Sequence, residues 1–313
     1  MTRPSLLIQS LAFALVYTPS LSAIPTTAPS SQPVEQIVTE NKSLEPYYEL
    51  QVSGGYHVTI TPGKERKISI VGPQNAVDKL IISQGPQTLT LSPINERRSF
   101  LGRLFDLRDE DSLQYQVKIN ITTPSLPSIR LLGNSSAEVG MNLGIMEATL
   151  AGSSSLSLQD QNTPRFNASI NGDASLNATS IKTGILNLDL NGDSEASILS
   201  TDVSQKAAIA LSGSTKINIG QANINELVVE SAGSSELGLG NTSVNTATLF
   251  HFGSTHGTIN NIQAKELYIQ LAGGSCLDIL SGSSLKTTVM TSGNAKFKTT
   301  ENFESGMMNQ ENL

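Results

Sequence analysis

A glycine recurs through the C-terminal part of the chain at nearly constant spacing. The nine members of this series, called the repeat glycines below, are Gly133, Gly152, Gly172, Gly192, Gly213, Gly233, Gly253, Gly273 and Gly293. Successive members are 19, 20 or 21 residues apart. Self-similarity at a period of about 20 residues is the sequence signature of a solenoid, in which each repeat forms one turn and stacks on the next.

The residues around each repeat glycine alternate between apolar and polar. All the residues four positions before the glycine are apolar, and so are nearly all of those four and six positions after it. Five positions after it, no residue has an apolar side chain, and two positions after it the residue is always Ser, Thr or Ala. This period-two alternation predicts half-buried strands on both sides of a tight glycine corner.

We therefore predict an all-β protein, a right-handed parallel β-helix or β-solenoid with about nine coils of ~20 residues each. The repeats would occupy residues 126–298. Residues 47–125 would form a less regular β segment that caps the N-terminal end. Within it, residues 52–60 match residues 271–279 position by position. The last coil is polar, as expected of a terminal cap. We expect residues 299–313 to be a disordered tail.

Composition excludes several classes of protein. Aromatic residues make up 4% of the chain, which is little for a large enzyme core, and 38% of residues are hydrophobic, which is too many for a disordered chain. The net charge of −7 argues against nucleic acid as a partner. The single cysteine, Cys276, excludes an intramolecular disulfide and a Cys-based zinc site.

The N-terminus has the pattern of an export signal. Arg3 is followed by an apolar run at residues 6–17, by Pro19, and by small residues at 22 and 23. We expect residues 1–23 to be a secretory signal peptide, with a buried N-terminal helix as the alternative. Residues 24–46, rich in Pro, Ser and Thr, would be a flexible linker. No later apolar run is long enough to cross a membrane, so we expect no integral membrane segment after cleavage.

One charged insertion interrupts the N-terminal β segment. Residues 96–111 carry nine charges and an apolar stripe formed by Phe100, Leu101, Leu104 and Phe105. This spacing predicts a short amphipathic helix. The helix would either cover the open N-terminal end of the solenoid or dock a partner or a membrane.

Three features together resemble a bacterial family. They are residues 52–60 (Val-Ser-Gly-Gly-Tyr-His-Val-Thr-Ile) with Pro62-Gly63, the bridge from Pro124 to Gly133, and the repeated pattern Leu-x-Gly-Ser-Ser-x-Leu-x-Leu. The chain is similar, over roughly residues 45–298, to the auto-transporter adhesin head GIN domain family. The resemblance implies a parallel β-helix-like fold, an exported location and an adhesin function, and it carries over no catalytic residue.

Few side chains are candidates for chemistry. Of the histidines, His251 takes an inward position and His256 an outward one, so these two are poorly arranged for one metal, and we expect structural or solvated roles for them and for His57. Asp173 and Asp193 occupy equivalent Asn-Gly-Asp corners of adjacent coils. At about 5 Å apart they would suit calcium or a retaining glycosidase pair, but Asn-Gly-Asp is also favoured turn chemistry, which we prefer.

Cys276 lies in an outward row, where it would either form an intermolecular disulfide or be covered by a loop. The many serines are explained by the corners. We expect no catalytic residue, no cofactor and no metal site.

These observations favour an exported, non-enzymatic β-solenoid that is adhesin-like or binds within the cell envelope. Its location would be periplasmic, cell-surface or secreted. Its partner would be an extended ligand, either a glycan or a surface protein, because long polar ladders offer many weak contacts. The alternatives are an envelope scaffold that stacks end to end and a polysaccharide-processing β-helix enzyme.

Overall fold

The computed structural model describes residues 36–94 and 116–312. Strands account for 75% of these residues and helix for 2%, so the protein is nearly all-β. The strands form a β-solenoid of about nine turns, which confirms the predicted fold class. The predicted signal peptide, the first part of the predicted linker and the charged insertion at 96–111 lie outside the described residues. Within the described ranges, no helix is long and apolar enough to cross a membrane.

The N-terminal segment contains the shorter strands and the single short helix of the described residues. Its elements are β1 (Ile37–Ser43), β2 (Glu49–Ser53), β3 (His57–Pro62), β4 (Lys67–Pro73), α1 (Gln74–Val77), β5 (Leu80–Gln84), β6 (Thr88–Pro93) and β7 (Lys118–Thr123).

The repeats follow. Their strands are β8 (Ser128–Gly133), β9 (Ser136–Val139), β10 (Glu147–Gly152), β11 (Ser155–Leu158), β12 (Gln161–Gly172), β13 (Ser175–Gly192), β14 (Glu195–Gly213), β15 (Lys216–Gly233), β16 (Glu236–Gly253), β17 (His256–Gly273), β18 (Cys276–Ile279), β19 (Gly282–Gly293), β20 (Lys296–Thr299), β21 (Phe303–Ser305) and β22 (Met308–Asn312).

Successive turns stack as parallel strands in register. Leu188 of β13 lies beside Ile209 of β14, and Ile209 lies beside Val229 of β15. Each repeat glycine from Gly133 onward is the last residue of a strand. Because equivalent residues lie side by side, each row of equivalent positions runs along the solenoid as a ladder.

The repeat glycines are required by the corners. Gly192 has a φ of +85°, and a Cβ atom added to it would lie 3.1 Å from the backbone nitrogen of Gly172 in the turn before. At Gly213 φ is +102°, and the added Cβ atom would lie 2.5 Å from the carbonyl oxygen of Gly192. The left-handed backbone and the close approach of the preceding turn both exclude a side chain, which explains the period seen in the sequence.

The one interval of 21 residues, from Gly192 to Gly213, has a local cause. The register of β13 with β14 and of β14 with β15 shifts on either side of residues 204 and 205. The neighbouring turns have one residue at this place and β14 has two, so the extra residue is accommodated in a bulge. The residues of β14 before and after the bulge are in register with the neighbouring turns, so the core rows stay continuous.

The core consists of inward-pointing rows, as the even offsets predicted. Every residue four positions before a repeat glycine is buried, from Ile129 to Val289. The Ser, Thr and Ala residues two positions after each glycine form a further row, the corner row, which is buried from Ser135 to Ser275. The return strand adds inward residues that the sequence pattern did not show, such as Ile181, Val203 and Ile224.

The strands near the N-terminus do not stack in chain order. β2 pairs in parallel with both β6 and β8, and β3 pairs in parallel with both β7 and β9. The turn formed by β2 and β3 therefore lies between the turn formed by β6 and β7 and the first repeat, formed by β8 and β9. Beyond it the pairing becomes antiparallel, with β4 on β7, β1 on β4 and β5 on β6.

Two segments expected to be irregular contain strands. β1 lies within the predicted linker, and β21 and β22 lie within the predicted tail, where they pair in parallel with β19. The side chains of β1 are exposed or half-buried, and most residues of β21 and β22 with described side chains are also accessible. Their order comes mainly from backbone hydrogen bonds to an existing sheet edge, which leave little apolar periodicity in the sequence.

Candidate functional site

The strand segment before each repeat glycine presents one continuous outward surface. We call it the glycine-preceding face and define it by the side chains one, three, five and seven positions before the repeat glycines. On β16 this surface carries Phe250 and Phe252, which alternate with the buried residues Leu249 and His251. Because a strand turns successive side chains to opposite faces, both rings point outward on the same side.

An aromatic patch lies on this face, formed by Phe250, Phe252 and Tyr268. The ring centroids of Phe250 and Phe252 are 6.4 Å apart and the rings are within 7° of parallel. The ring of Tyr268, on the next turn, meets Phe250 edge-on with centroids 6.0 Å apart. Phe252 is 40% exposed, and the hydroxyl of Tyr268 lies 3.8 Å from the sulfur of Met290. Aromatic rings held at a surface in this way provide rigid contact area at low entropic cost.

A groove of about 680 Å³ lies on the same face toward the N-terminal side of the patch. The outward residues of β14 here are Ala208 and Ala210, whereas longer side chains, Asp189 and Glu230, stand on the turns before and after them. The groove forms because these small side chains lie between longer ones. Its apolar lining includes the outward side chain of Val228. Ala148, Ala168, Leu188 and Ile209 also border the groove, but their side chains are buried in the core.

The charged lining of the groove is mainly acidic. Glu147, Asp189 and Glu230 face it together with one cation, Arg165. Within residues 36–94 and 116–312, none of these four side chains forms an ion pair, whereas Lys206 and Glu226 pair with each other at 2.7 Å along the edge of the same face. Glu230 lies in register with Phe250, so a carboxylate directly adjoins the aromatic patch.

The side chain of His251 points inward, as predicted. The ring is fully buried, and its Nδ1 atom lies 2.7 Å from the hydroxyl oxygen of Ser231 one turn earlier. The Nε2 atom has no hydrogen-bond partner in the described part of the chain. Burial, with a smaller contribution from His256, lowers the pKa of His251 to about 4. Gly257 leaves room for the ring, since a Cβ atom there would lie 3.2 Å from the imidazole Cε1.

The other two histidines are hydrogen-bonded to residues other than His251. His256 is exposed, and its Nε2 atom lies 3.3 Å from the hydroxyl of Thr258. His57 is half-buried on β3, and its Nδ1 atom lies 2.8 Å from the hydroxyl of Ser136. Among the residues that the structure describes, no group of three or more His, Cys, Asp and Glu side chains is arranged to hold a metal ion.

Asp173 and Asp193 lie at stacked corners and are exposed. The backbone N–H of Asp193 donates to the carbonyl oxygen of Gly172 at 3.0 Å, so the residue takes part in the hydrogen bonding between turns. Each aspartate comes one residue after a repeat glycine, beyond the end of the glycine-preceding face. The structure therefore places this pair apart from the aromatic patch.

Cys276 is half-buried in its outward row. Its Sγ atom lies 3.4 Å from a carboxylate oxygen of Asp278. Burial and the neighbouring carboxylate raise the pKa of the thiol, although Lys298 and Lys296 oppose the shift. A raised pKa reduces the thiolate fraction, so the environment does not activate this cysteine as a nucleophile.

Sequence reasoning missed the aromatic patch. The outward row three positions after each glycine, from Ser136 to Lys296, is mixed and mostly small, so it indicates no binding surface. The same comparison one, three and five positions before each glycine would have placed Phe252, Phe250 and Tyr268 on neighbouring turns of one surface. The pattern is therefore present in the sequence, at the outward positions before each glycine. Only the apolar position four residues before the glycine entered the prediction.

Comparison with solved structures gives matches at low sequence identity. A protein titled putative adhesin from Parabacteroides distasonis has 12% identity and a TM-score of 0.45, with 90% of this chain and 98% of that chain covered. A second protein so titled, from Parabacteroides merdae, has 14% identity and a TM-score of 0.45, with coverage of 89% and 96%. A protein titled putative lipid binding protein from Parabacteroides distasonis has 14% identity and a TM-score of 0.44, with coverage of 88% and 96%.

Comparison with curated proteins gives no match. A family model does match, over residues 46–204 and 183–300, which together span most of the chain and nearly all of the described solenoid. The match includes the glycine corners and the turn at residues 52–60 on which the resemblance in the sequence rests. The chain belongs to the family described as "Putative auto-transporter adhesin, head GIN domain".

Proposed function

We propose that this protein is an exported, non-enzymatic adhesin that binds an extended ligand along the glycine-preceding face. Membership of a family described as an adhesin domain supports a binding function in general terms. The N-terminal pattern of a charge, an apolar run and small residues supports export. The face itself indicates where on the molecule the ligand would bind.

One observation carries the proposal: the aromatic patch and the groove lie next to each other on a single continuous surface. The groove spans turns from β10 to β15, and Phe250, Phe252 and Tyr268 follow on β16 and β17. At about 4.8 Å between turns, the combined surface extends for about 3 nm. A surface of this length suits a polymer that makes repeated contacts better than it suits a small molecule.

The polysaccharide-processing alternative is less well supported. A glycosidase needs two carboxyl groups that flank the bound sugar, together with a surface that holds it. Asp173 and Asp193 lie past the corner, away from the aromatic rings. The buried pair formed by His251 and Ser231 has no access to a polymer, because both residues are within the core.

A binding array tests the proposal with the full-length protein. The array carries polysaccharides, matrix proteins and envelope components, and is probed with the wild type, with Phe250→Ala/Phe252→Ala and with Leu199→Ala. Leu199 is a control because it is also an exposed apolar residue, 66% accessible, but lies on the other side of the glycine corner. We expect at least one ligand to bind the wild type and the Leu199 variant and to lose about tenfold or more in affinity for the double phenylalanine variant.

An array in which the phenylalanine and leucine variants bind like the wild type would refute the glycine-preceding face as the binding surface. Turnover of a polysaccharide that is lost on changing Asp173 and Asp193 to Asn would instead establish the enzyme alternative. Circular dichroism and thermal unfolding of each variant verify that a loss of binding is not a loss of fold.

A further inference from the structure

The geometry of the glycine-preceding face points to the class of its ligand, and we infer that it binds a basic segment of a partner polypeptide, one that presents Lys or Arg side chains. This inference rests on the proposed function, because it specifies what the same surface binds. Three properties of the face favour such a segment over a neutral or acidic polymer. They are the acidic lining of the groove, the aromatic patch and the apolar side chains in the groove.

The charge of the groove is complementary to a cation. Three carboxylates, those of Glu147, Asp189 and Glu230, line the groove and are opposed by the single guanidinium group of Arg165. Asp189 accepts a hydrogen bond from the side chain of Asn191 at 3.0 Å, which holds its carboxylate in place. The protein as a whole has a net charge of −7, so the long-range field also attracts a basic partner.

The rings next to these carboxylates add a second cation-binding element. Glu230 and Phe250 lie in register on adjacent strands, which are about 4.8 Å apart. An ammonium or guanidinium group placed over the ring face of Phe250 or Phe252 would therefore be close to the Glu230 carboxylate. The quadrupole of an aromatic ring attracts a cation, and Arg can in addition stack its planar group on the ring.

The apolar side chains in the groove favour a Lys or Arg side chain over an amino sugar. Ala208, Ala210 and Val228 provide an apolar surface between the charged positions. The methylene stem of Lys or Arg can pack on such a surface while its charged end reaches a carboxylate at the margin. A sugar ring carries hydroxyl groups around its perimeter, which would lose hydrogen bonds to water against these methyl groups.

Fluorescence anisotropy with the full-length protein tests the inference. The probes are a labelled ten-residue peptide that alternates Lys and Ser, the same peptide with Glu in place of Lys, a labelled neutral cello-oligosaccharide and a labelled chitosan oligomer. The variants are Glu230→Gln and Phe250→Ala/Phe252→Ala. Glu195→Gln is the matched control, because it removes the same charge from an exposed carboxylate beyond the glycine corner.

We expect the basic peptide to bind the wild type and the other probes to bind at least tenfold more weakly. Glu230→Gln should weaken the affinity for the basic peptide about threefold, as for one exposed ion pair. The double phenylalanine variant should weaken it about tenfold, as for a cation over aromatic rings. Glu195→Gln should leave the affinity within experimental error of the wild type.

The remaining outcomes overturn the inference. If Glu195→Gln weakens binding as much as Glu230→Gln does, the peptide is responding only to the net charge. If the neutral oligosaccharide or the chitosan oligomer binds in a Phe250- and Phe252-dependent manner and the peptide does not, the ligand class is wrong but the binding function stands. If no probe binds, the basic-segment inference is rejected, and the array decides the proposed function separately.

Discussion

The Nδ1 atom of His251 lies 2.7 Å from the hydroxyl oxygen of Ser231, and both residues are buried in adjacent turns of the solenoid. In the other turns, the position two residues before the repeat glycine holds mostly Leu or Ile, as at Leu211 and Leu271. This row of the core, otherwise nearly apolar, therefore contains one hydrogen-bonded polar pair, in which His251 is the titratable member.

This pair should make the fold acid-sensitive. The pKa of His251 is lowered from 6.5 to about 4, so between these values the unfolded chain takes up a proton that the folded chain does not. The stabilisation is complete above about pH 6.5 and is lost as the pH falls toward 4, amounting to about 3 kcal/mol. We expect His251→Leu to remove most of this pH dependence, as measured by urea unfolding at pH 7.5 and pH 4.5.

His256→Gln is the control, because that side chain is exposed, and it should keep most of the wild-type difference between the two pH values. Ser231 retains a partner in the His251→Leu variant, since its hydroxyl also donates to the carbonyl oxygen of Phe250 at 3.3 Å. An unchanged pH dependence in His251→Leu would show that other groups cause the acid sensitivity.

Alanine substitutions should separate the two reasons for the repeat glycines. Gly213→Ala incurs both the left-handed φ of +102° and an approach of 2.5 Å to a carbonyl oxygen, so we expect a loss of about 3 kcal/mol or more. Gly144→Ala incurs only the positive φ, since no atom lies within 4 Å, and should lose about 1 kcal/mol. Gly85→Ala, with its nearest contact at 3.7 Å, should change the free energy of unfolding by less than about 0.5 kcal/mol. Equal losses at Gly213 and Gly144 would mean that contact between turns contributes nothing.

The corner row should respond to substitution according to its hydrogen bonds. The Ser135 hydroxyl donates to the carbonyl oxygens of Leu132 at 2.8 Å and Val52 at 3.1 Å, so Ser135→Ala should lose about 1 kcal/mol. The buried hydroxyl of Ser194 has no partner among the described residues. Ser194→Ala should therefore leave stability unchanged or raise it by up to about 1 kcal/mol. Chemical denaturation of the two variants tests the contrast, and a larger loss at Ser194 would point to a partner that these contacts do not include.

The last two strands should protect a sheet edge. β22 pairs with residues 287–291 of β19, and β21 pairs with residues 282–284. Deletion of residues 301–313 would expose the backbone N–H and C=O groups of β19, and an exposed edge of this kind invites pairing with another chain. We expect the truncated protein to unfold at a lower temperature and to self-associate in sedimentation velocity at concentrations where the full chain does not. A truncated chain that sediments like the full chain would show that β19 tolerates a free edge.

The repeat could be predicted because one local requirement, a left-handed glycine against a glycine of the next turn, recurs in every coil. The match of residues 52–60 to a repeat was also visible, and the structure stacks Gly54 beside Gly133 in the expected register. The insertion of that turn between β6–β7 and β8–β9 was not visible, because it depends on pairings between strands about 40 to 80 residues apart.

The candidate site was harder to predict than the fold for a physical reason. Burial constrains the inward rows to apolar residues, so their alternation can be recognised in the sequence. The outward rows are free to vary and show no such pattern. Phe250, Phe252 and Tyr268 form a patch only because the turns are in register, and their spacing in the sequence follows no motif. The strands β1 and β22 were missed because backbone pairing, with little side-chain burial, holds them.

The location of the folded solenoid tests the central claim most directly, because an adhesin must reach its ligand outside the cell. Intact cells that produce the protein with a tag at its C-terminus are treated with protease, and a parallel sample is treated after the envelope is opened. The account predicts that the tag is lost from intact cells, or that the solenoid is found in the medium. A tag that is protected until the envelope is opened would contradict the adhesin function.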